Sequence, residues 1–122
     1  MKEPGPDHPI TVECNPRRVR VEINGHVIAD TLGALSLREG SYPVVQYIPR
    51  DDIEMGFFSM SDHHTSCPYK GEATYFTSKI DGQLQENIAW SYENAYPAVG
   101  AIRGLMAFYP DRARVYAVDP ST

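Results

Sequence analysis

The chain has 122 residues, a length that predicts one globular domain with its own buried core. Its 16 acidic residues outnumber its 11 lysines and arginines, and the formal net charge of −5 argues against sequence-independent nucleic-acid binding. No stretch is apolar enough for a signal peptide or a membrane span. The sequence therefore predicts a cytoplasmic protein with neither a nucleic-acid nor a membrane partner.

The cysteine content excludes two further classes of site. Cys14 and Cys67 lie far apart and do not form a disulfide framework, so both are expected to be free thiols in a reducing compartment. A structural zinc site needs four ligands, usually from paired Cys-x2-Cys knuckles, and the sequence has no such pair. We therefore expect neither a bound metal nor a cofactor.

The first predicted segment is a proline-rich N-terminal arm over residues 1–17. Because proline fixes φ and lacks an N–H, this composition predicts an extended arm rather than a helix. Its GPDHPI run is compatible with an ordered arm that packs on the domain. Regular structure is predicted to begin at Arg18, so residues 18–122 are expected to form a single β domain.

Short strands are predicted from Arg18 onward. Val19, Val21 and Ile23 alternate with charged residues, which is the period of a half-buried strand. The Asn24-Gly25 pair that follows is a strong signal for a hairpin turn. Further strands are predicted over residues 26–29, 34–37, 44–48, 73–80 and 83–92, and a last hairpin over residues 105–109 and 113–118.

Two segments between these strands have other predicted structures. Residues 49–52 are predicted to form a turn or one helical turn. Residues 97–103 are predicted to form one short helix, because Pro97 suits a first helical position and Gly104 suits a C-terminal cap. The whole pattern predicts a mainly β fold of the sandwich or barrel-like kind.

The polar stretch Ser61–Ala73, SDHHTSCPYKGEA, is the most site-like feature of the sequence. It places His63, His64, Cys67 and Lys70 between two predicted strands, where rigidly held loops often carry function. A thiol beside a lysine or a protonated histidine has a lowered pKa, and the tight turn after it suits an anion. The alternative is an ordinary turn, with Cys67 buried as a small apolar residue and the histidines solvated.

Aromatic side chains form a second candidate feature. Trp90 and Tyr92 are two residues apart on one predicted strand, so both rings point to the same face of the sheet. Rings on one face are able to line a ligand pocket. They are equally able to form plain core packing, and the sequence leaves both interpretations open.

Several motifs together carry a family resemblance: GPDHPI at residues 5–10, VVQYIPRDDI at 44–53, TSCPYKGEATYF at 65–76, ENIAWSY at 86–92 and AFYPDR at 107–112. On these motifs the chain resembles the bacterial family described as domain of unknown function 427. The resemblance implies a β-tent, in which two antiparallel sheets lean together. It also implies a ligand-binding set made of Thr65, Cys67, Lys70, Gly71, Tyr75, Trp90, Tyr92, Tyr109, Tyr47 and Arg50.

Three functions are consistent with these residues. The first is binding of a small anionic or nucleotide-like ligand, held by Lys70 and Arg50 and stacked on Trp90. The second is a protein-interaction module, which an exposed Trp90 would favour. The third is a thiol-dependent enzyme with Cys67 as the candidate catalytic nucleophile and His63 or His64 as its base.

Overall fold

The computed structural model describes residues 1–118 and consists mainly of antiparallel β-strands, as the sequence predicts. The ten strands are β1 Ile10–Cys14, β2 Arg18–Ile23, β3 His26–Thr31, β4 Leu35–Glu39, β5 Val45–Tyr47, β6 Phe58–Cys67, β7 Gly71–Ile80, β8 Gln83–Ser91, β9 Met106–Phe108 and β10 Arg114–Val118. Three short 3₁₀ segments connect them, at Arg50–Asp52, Met55–Phe57 and Pro97–Ile102. Among residues 1–118 no helix is long and apolar enough to cross a membrane.

The strands form three sheets, one more than the two that were predicted. Their strand orders are β1-β4-β5, β10-β2-β3 and β6-β7-β8-β9. The first and third sheets meet where Ile48, directly after β5, exchanges two backbone hydrogen bonds of 2.8 and 2.9 Å with Met106 of β9. This bridge holds the end of β5 beside the four-stranded sheet.

Two hairpin turns form as their sequences predict. Asn24 and Gly25 have φ values of 51° and 80°, and Asp81 and Gly82 have values of 53° and 78°. Positive φ at both central residues fits a type I′ turn, whose twist matches that of the strands it joins. The Asn-Gly and Asp-Gly signals therefore place the β2-β3 and β7-β8 hairpins correctly.

The N-terminal segment contains a strand that the sequence analysis missed. Regular structure begins at Ile10 rather than at Arg18, because β1 lies inside the predicted arm and pairs with β4. The five residues of β1 fall between Pro9 and Pro16, so all of their backbone N–H groups remain available. Prolines on both sides made a short strand look like part of an extended arm.

Two predictions in the C-terminal part are wrong. The segment predicted as a helix over residues 97–103 consists of 3₁₀ turns, because Val99 has the non-helical angles φ −124° and ψ 27°. The predicted last hairpin does not form, since β9 pairs with β8 whereas β10 pairs with β2. The turn after Tyr109 thus carries the chain from one sheet to another.

The four-stranded sheet packs against one buried cluster on each side, and successive residues of a strand point to opposite sides. On one side lies a cluster that we call the apolar core: Val19, Val21, Ile23, Ile28, Ala29, Ala34, Ile48, Ile53, Phe76, Ile80, Ile88, Ala89, Met106, Phe108 and Ala113. On the other side lies a cluster that we call the tyrosine core: Leu37, Tyr47, Ala73, Tyr75, Tyr92, Val99, Ile102 and Ala107. The neighbouring residues Tyr75 and Phe76 of β7 belong to different cores.

Candidate functional site

A cavity of about 190 Å³ lies at the tyrosine core. Its wall contains six of the residues that the sequence analysis named as ligand-binding: Tyr47, Lys70, Tyr75, Trp90, Tyr92 and Tyr109. Residues from β4, from the segment after it and from β5 complete the wall: Leu37, Glu39, Tyr42, Pro43 and Val45. The two features that the sequence presented separately, the turn with Lys70 and the aromatic strands, therefore meet at one cavity.

Strand pairing brings the aromatic rings together. Tyr75 of β7 lies directly opposite Trp90 of β8, and opposite residues of an antiparallel pair point to the same face. The Trp90 ring centroid lies 4.6 Å from that of Tyr109 and 6.5 Å from that of Tyr47, which meets it edge-on at 90°. The prediction that Trp90 and Tyr92 share one face agrees with the position of both on this wall.

Hydrogen bonds fix several of these rings. The Trp90 indole N–H donates to the Tyr47 hydroxyl at 3.3 Å. The Tyr109 hydroxyl donates to the Tyr75 hydroxyl at 3.2 Å, and the Tyr75 hydroxyl is in turn 3.0 Å from the Thr65 hydroxyl. Burial, followed by the hydrogen bond to Tyr75, raises the pKa of Tyr109 to about 12. Thr65 thus supports the cavity wall from β6 without lining the cavity itself.

Two of the hydroxyls have unused hydrogen-bonding capacity. Tyr47 accepts the proton of Trp90, but its own O–H has no acceptor within residues 1–118. The Tyr92 hydroxyl forms no hydrogen bond to any residue in the same part of the chain. Burial raises the pKa of both phenols above the ordinary value, so both keep their protons at neutral pH. The cavity wall therefore offers two phenolic donors.

A compensated ion pair forms the polar end of the cavity. The Lys70 ammonium donates to the Glu39 carboxylate, and the two side chains are only 12% and 13% exposed. His8 Nε2 lies 2.7 Å from the second oxygen of Glu39, and its ring stacks on Tyr69 at 3.9 Å. Burial raises the pKa of Glu39, but the hydrogen bonds from Lys70 and His8 outweigh it and hold the pKa below its ordinary value. The charge of Lys70 is thus neutralised by the protein itself.

The structure places Arg50 away from the cavity. Its Nη1 donates to Glu93 at 3.1 Å, and its guanidinium lies 5.1 Å from the ring centroid of Phe76, a residue of the apolar core. Arg50 follows Pro49 in a 3₁₀ turn that leads the chain out of β5. The prediction that Arg50 and Lys70 together hold one ligand therefore lacks geometric support.

Gly71 and Cys67 contribute to the shape of the site. Gly71 has φ +114°, a conformation that side-chain-bearing residues rarely adopt, and a Cβ there would lie 3.3 Å from the carbonyl oxygen of Asn94. Cys67 pairs with Gly71 across the β6-β7 hairpin and packs half-buried against the tyrosine core. Both residues adjoin the cavity wall, and neither lines the cavity.

The stretch Ser61–Ala73 is mostly strand rather than loop, because β6 extends to Cys67. The ring of His63 packs on Tyr75 at 4.6 Å, whereas Nδ1 of His64 lies 3.5 Å from Glu72. No hydrogen bond joins either histidine to Cys67 within residues 1–118. Three residues along a strand span about 10 Å, so even His64 is too far along β6 to act as the base for the thiol.

Glu39 is the cavity residue of most consequence that the sequence analysis missed. No sequence motif surrounds Glu39, and the feature that indicates its position is its spacing from the leucines of β4. Leu35, Leu37 and Glu39 are two residues apart, so a carboxylate continues the face on which Leu37 is buried. A charged residue on the buried face of a strand implies a partner, and here the partner is Lys70.

The family model described as domain of unknown function (DUF427) matches residues 11–119. The match includes every strand from β2 to β10 and all residues that line the cavity. It confirms the family resemblance carried by the sequence motifs. No curated protein matches the chain. The family description names neither a ligand nor a reaction, so the geometry of the site has to support any functional conclusion.

Proposed function

Because the chain belongs to the family of domain of unknown function 427, which has no assigned activity, we propose a function from the site itself. The protein binds a small, flat, uncharged molecule that carries hydrogen-bond acceptors. The observation that carries the proposal is the pair of hydroxyls of Tyr47 and Tyr92, which line one cavity and donate to no residue within 1–118. Each side chain lines the cavity with an O–H that no residue within 1–118 accepts, so a ligand acceptor would bond to both.

The volume of the cavity supports a small ligand. An apolar protein cavity of roughly 150 Å³ accommodates benzene, and this cavity measures about 190 Å³. A one-ring molecule with a short polar substituent has a suitable size. A complete nucleotide is larger than the cavity, so the nucleotide-like ligand predicted from the sequence would fit only by its base.

The aromatic wall supports a flat ligand. Tyr75 and Tyr109 have nearly parallel rings, with 13° between their planes, and Trp90 lies against Tyr109. Rings held in fixed positions by hydrogen bonds favour partners that stack or meet them edge-on. Planar molecules make both kinds of contact with little loss of conformational freedom.

The charges around the cavity support an uncharged ligand. Lys70, the cation of the wall, is already paired with Glu39, and Arg50 is paired with Glu93 outside the cavity. An anion bound to Lys70 would displace a carboxylate that is largely buried, and a buried charge without its partner is strongly unfavourable. A neutral ligand therefore suits the charges around the cavity better than the anionic ligand that was predicted from the sequence.

The two alternatives from the sequence have weaker support. An exposed Trp90 would favour a protein-interaction module. In the structure this side chain is half-buried and hydrogen-bonded to Tyr47. A thiol enzyme would need a histidine base beside Cys67. Instead, His63 contacts Tyr75 and His64 contacts Glu72. Ligand binding therefore remains the function that the contacts support best.

The indole N–H of Trp90 provides a direct test, because Trp90 is the single tryptophan of the chain and lines the cavity. We would titrate the protein with benzamide, benzoate and benzylammonium, which are similar in size and differ in charge, and follow the indole resonance by NMR. Benzamide is expected to bind with a Kd of roughly millimolar order, given the affinity typical of each ligand atom. The two ions are expected to bind at least tenfold more weakly.

The variant Tyr92→Phe is the matched control, since it removes one donor and keeps the ring. It is expected to weaken benzamide binding by about tenfold, the loss of one well-placed hydrogen bond. Benzoate binding as tight as benzamide binding would contradict the proposal, as would an unchanged Kd in the Tyr92→Phe variant.

A further inference from the structure

A second concave surface lies where all three sheets meet, and we call it the cleft. It measures about 330 Å³ and is bounded by residues 43–46 beside and within β5, by residues 115–117 of β10, and by Trp90 and Phe108 of the four-stranded sheet. This volume falls within the range typical of ligand pockets, whereas the cavity at the tyrosine core falls below it. The cleft is therefore large enough to hold part of a ligand.

The lining of the cleft is uncharged. Aspartate, glutamate, lysine and arginine make up 22% of the chain, yet none of these side chains within residues 1–118 lines it. Its two amides, Asn15 and Gln46, are joined by a hydrogen bond of 3.2 Å. The remaining wall is largely made of valine, proline and aromatic side chains, so the cleft is complementary to an apolar group without charge.

The cleft and the cavity have a common wall. Pro43, Val45 and Trp90 line both of them. Because the same three residues line both, the cleft and the cavity adjoin each other. The polar part of the wall, with Tyr47, Tyr92 and Lys70, lies on the cavity side only.

We propose that the ligand has two parts: a planar head with hydrogen-bond acceptors in the cavity, and an uncharged apolar substituent of several carbons in the cleft. This inference rests on the proposed function, because it needs the head to occupy the cavity. It adds the chemical class of the ligand, a neutral amphipathic molecule. The head supplies orientation through Tyr47 and Tyr92, and the substituent supplies affinity through burial of apolar surface.

A series of N-alkylbenzamides tests the second part separately from the first. Binding of benzamide, N-ethylbenzamide, N-butylbenzamide and N-hexylbenzamide would be measured by the NMR shift of the Trp90 indole. Each methylene that enters the cleft is expected to tighten the Kd by about fourfold until the cleft is full. A Kd that does not change with chain length would overturn the inference while leaving the proposed function intact.

The variant Ala117→Phe shows whether the gain arises in the cleft. Ala117 is exposed and lines the cleft, so a phenyl group there occupies part of its volume. The variant is expected to bind benzamide like the wild type and to lose the dependence on chain length. Leu84→Phe is the control, because Leu84 is 61% exposed and lies outside the cleft. A chain-length gain that survives in Ala117→Phe would contradict the proposal.

The remaining outcomes also decide the matter. If no member of the series binds, the proposed function fails and this inference fails with it. The variant Val44→Glu tests whether the cleft is an interface between two copies, since Val44 is an exposed residue of the lining. If the free protein dimerises and this variant does not, the cleft is such an interface and the inference is overturned. Sedimentation velocity of both proteins measures this, and a monomeric wild type is the expected result.

Discussion

The two faces of the four-stranded sheet are packed by different kinds of side chain. On one face the apolar core contains no tyrosine and consists of valine, isoleucine, alanine, phenylalanine and methionine residues such as Ile28, Ile80 and Ile88. On the other face the tyrosine core contains Tyr47, Tyr75 and Tyr92 and leaves a cavity of about 190 Å³. The same sheet thus carries a cluster without tyrosine on one face and a tyrosine-rich cluster beside the cavity on the other.

Under the proposed function, this difference separates the residues that stabilise the fold from those that contact the ligand. Apolar surface stabilises a fold in proportion to the area that is buried, at about 25 cal/mol per Å². Tyrosine adds a hydroxyl that requires a partner, so a core built from tyrosines is well suited to a ligand and poorly suited to dense packing. We therefore expect substitutions in the apolar core to change stability, and substitutions of cavity hydroxyls to change binding.

The largest effect on stability is expected in the apolar core. Ile88→Ala removes a fully buried side chain and leaves a void, which should lower the free energy of unfolding by about 3 kcal/mol. Urea denaturation measures this loss, and Ile88→Val should show about 1 kcal/mol. The Kd for benzamide of the folded variant should not change. If Ile88→Ala lowered the free energy of unfolding by less than Tyr92→Phe does, the division between the two cores would be contradicted.

The ion pair at the edge of the cavity is expected to have the next largest effect. Glu39→Gln weakens the hydrogen bonds to Lys70 and His8 and should lower stability by about 2 kcal/mol at neutral pH. The folded-state pKa of Glu39 lies below the ordinary value of 4.5, so its contribution is complete above that pH and is lost as the pH falls through the folded-state pKa.

The difference in stability between wild type and Glu39→Gln should therefore shrink on acidification below about pH 4.5. Thermal unfolding from pH 7 to pH 3 measures it. A difference that stays constant over this range would show that the carboxylate of Glu39 is not favoured by its neighbours. Asp62→Asn serves as the comparison variant, because no ion pair within residues 1–118 involves Asp62.

Tyr47→Phe is expected to have a smaller effect, of about 1 kcal/mol. The substitution keeps the ring and removes the only acceptor of the Trp90 indole N–H within residues 1–118. The stability loss should be accompanied by a change in the emission of Trp90, since its polar contact disappears. Unchanged unfolding and unchanged fluorescence would both indicate that this hydrogen bond does not form in solution.

Tyr92→Phe is expected to have the smallest effect on stability, within about 0.5 kcal/mol at pH 7, because its hydroxyl bonds to no residue in the described chain. Burial raises the folded-state pKa of Tyr92 above 10, so the wild type should lose stability as the pH rises past 10. Phenylalanine cannot ionise, and the variant should lose less. Chemical denaturation at pH 7 and pH 10.5 compares them, and an equal alkaline loss would contradict the buried position of this phenol.

The sequence predicted most strands because their signals are local. Alternation marks β2, and Asn24-Gly25 and Asp81-Gly82 mark two hairpins through their tolerance of positive φ. Sheet membership depends on distant partners, so β9 and β10 looked like a hairpin although they belong to different sheets. The polar side chains of β6 gave no strand pattern, because this strand is at the edge of its sheet and mostly exposed.

The aromatic part of the site was also predictable, because the spacing of Trp90 and Tyr92 fixes their common face. Arg50 lies outside the cavity lining, because closeness in sequence to Tyr47 does not determine direction once Pro49 turns the chain. Glu39 was missed because its function depends on Lys70 and His8, which are 31 residues away on either side. Contacts of that kind arise from tertiary packing and leave no local pattern.

We propose that the tyrosine core binds a ligand through the O–H groups of Tyr47 and Tyr92, which no residue within 1–118 accepts. Isothermal titration calorimetry of benzamide into wild type, Tyr92→Phe and Ile88→Val tests it most directly. We expect about tenfold weaker binding to Tyr92→Phe, with nearly unchanged thermal stability, and wild-type binding to the less stable Ile88→Val. Equal affinities for wild type and Tyr92→Phe, or a loss of affinity that follows stability in both variants, would contradict it.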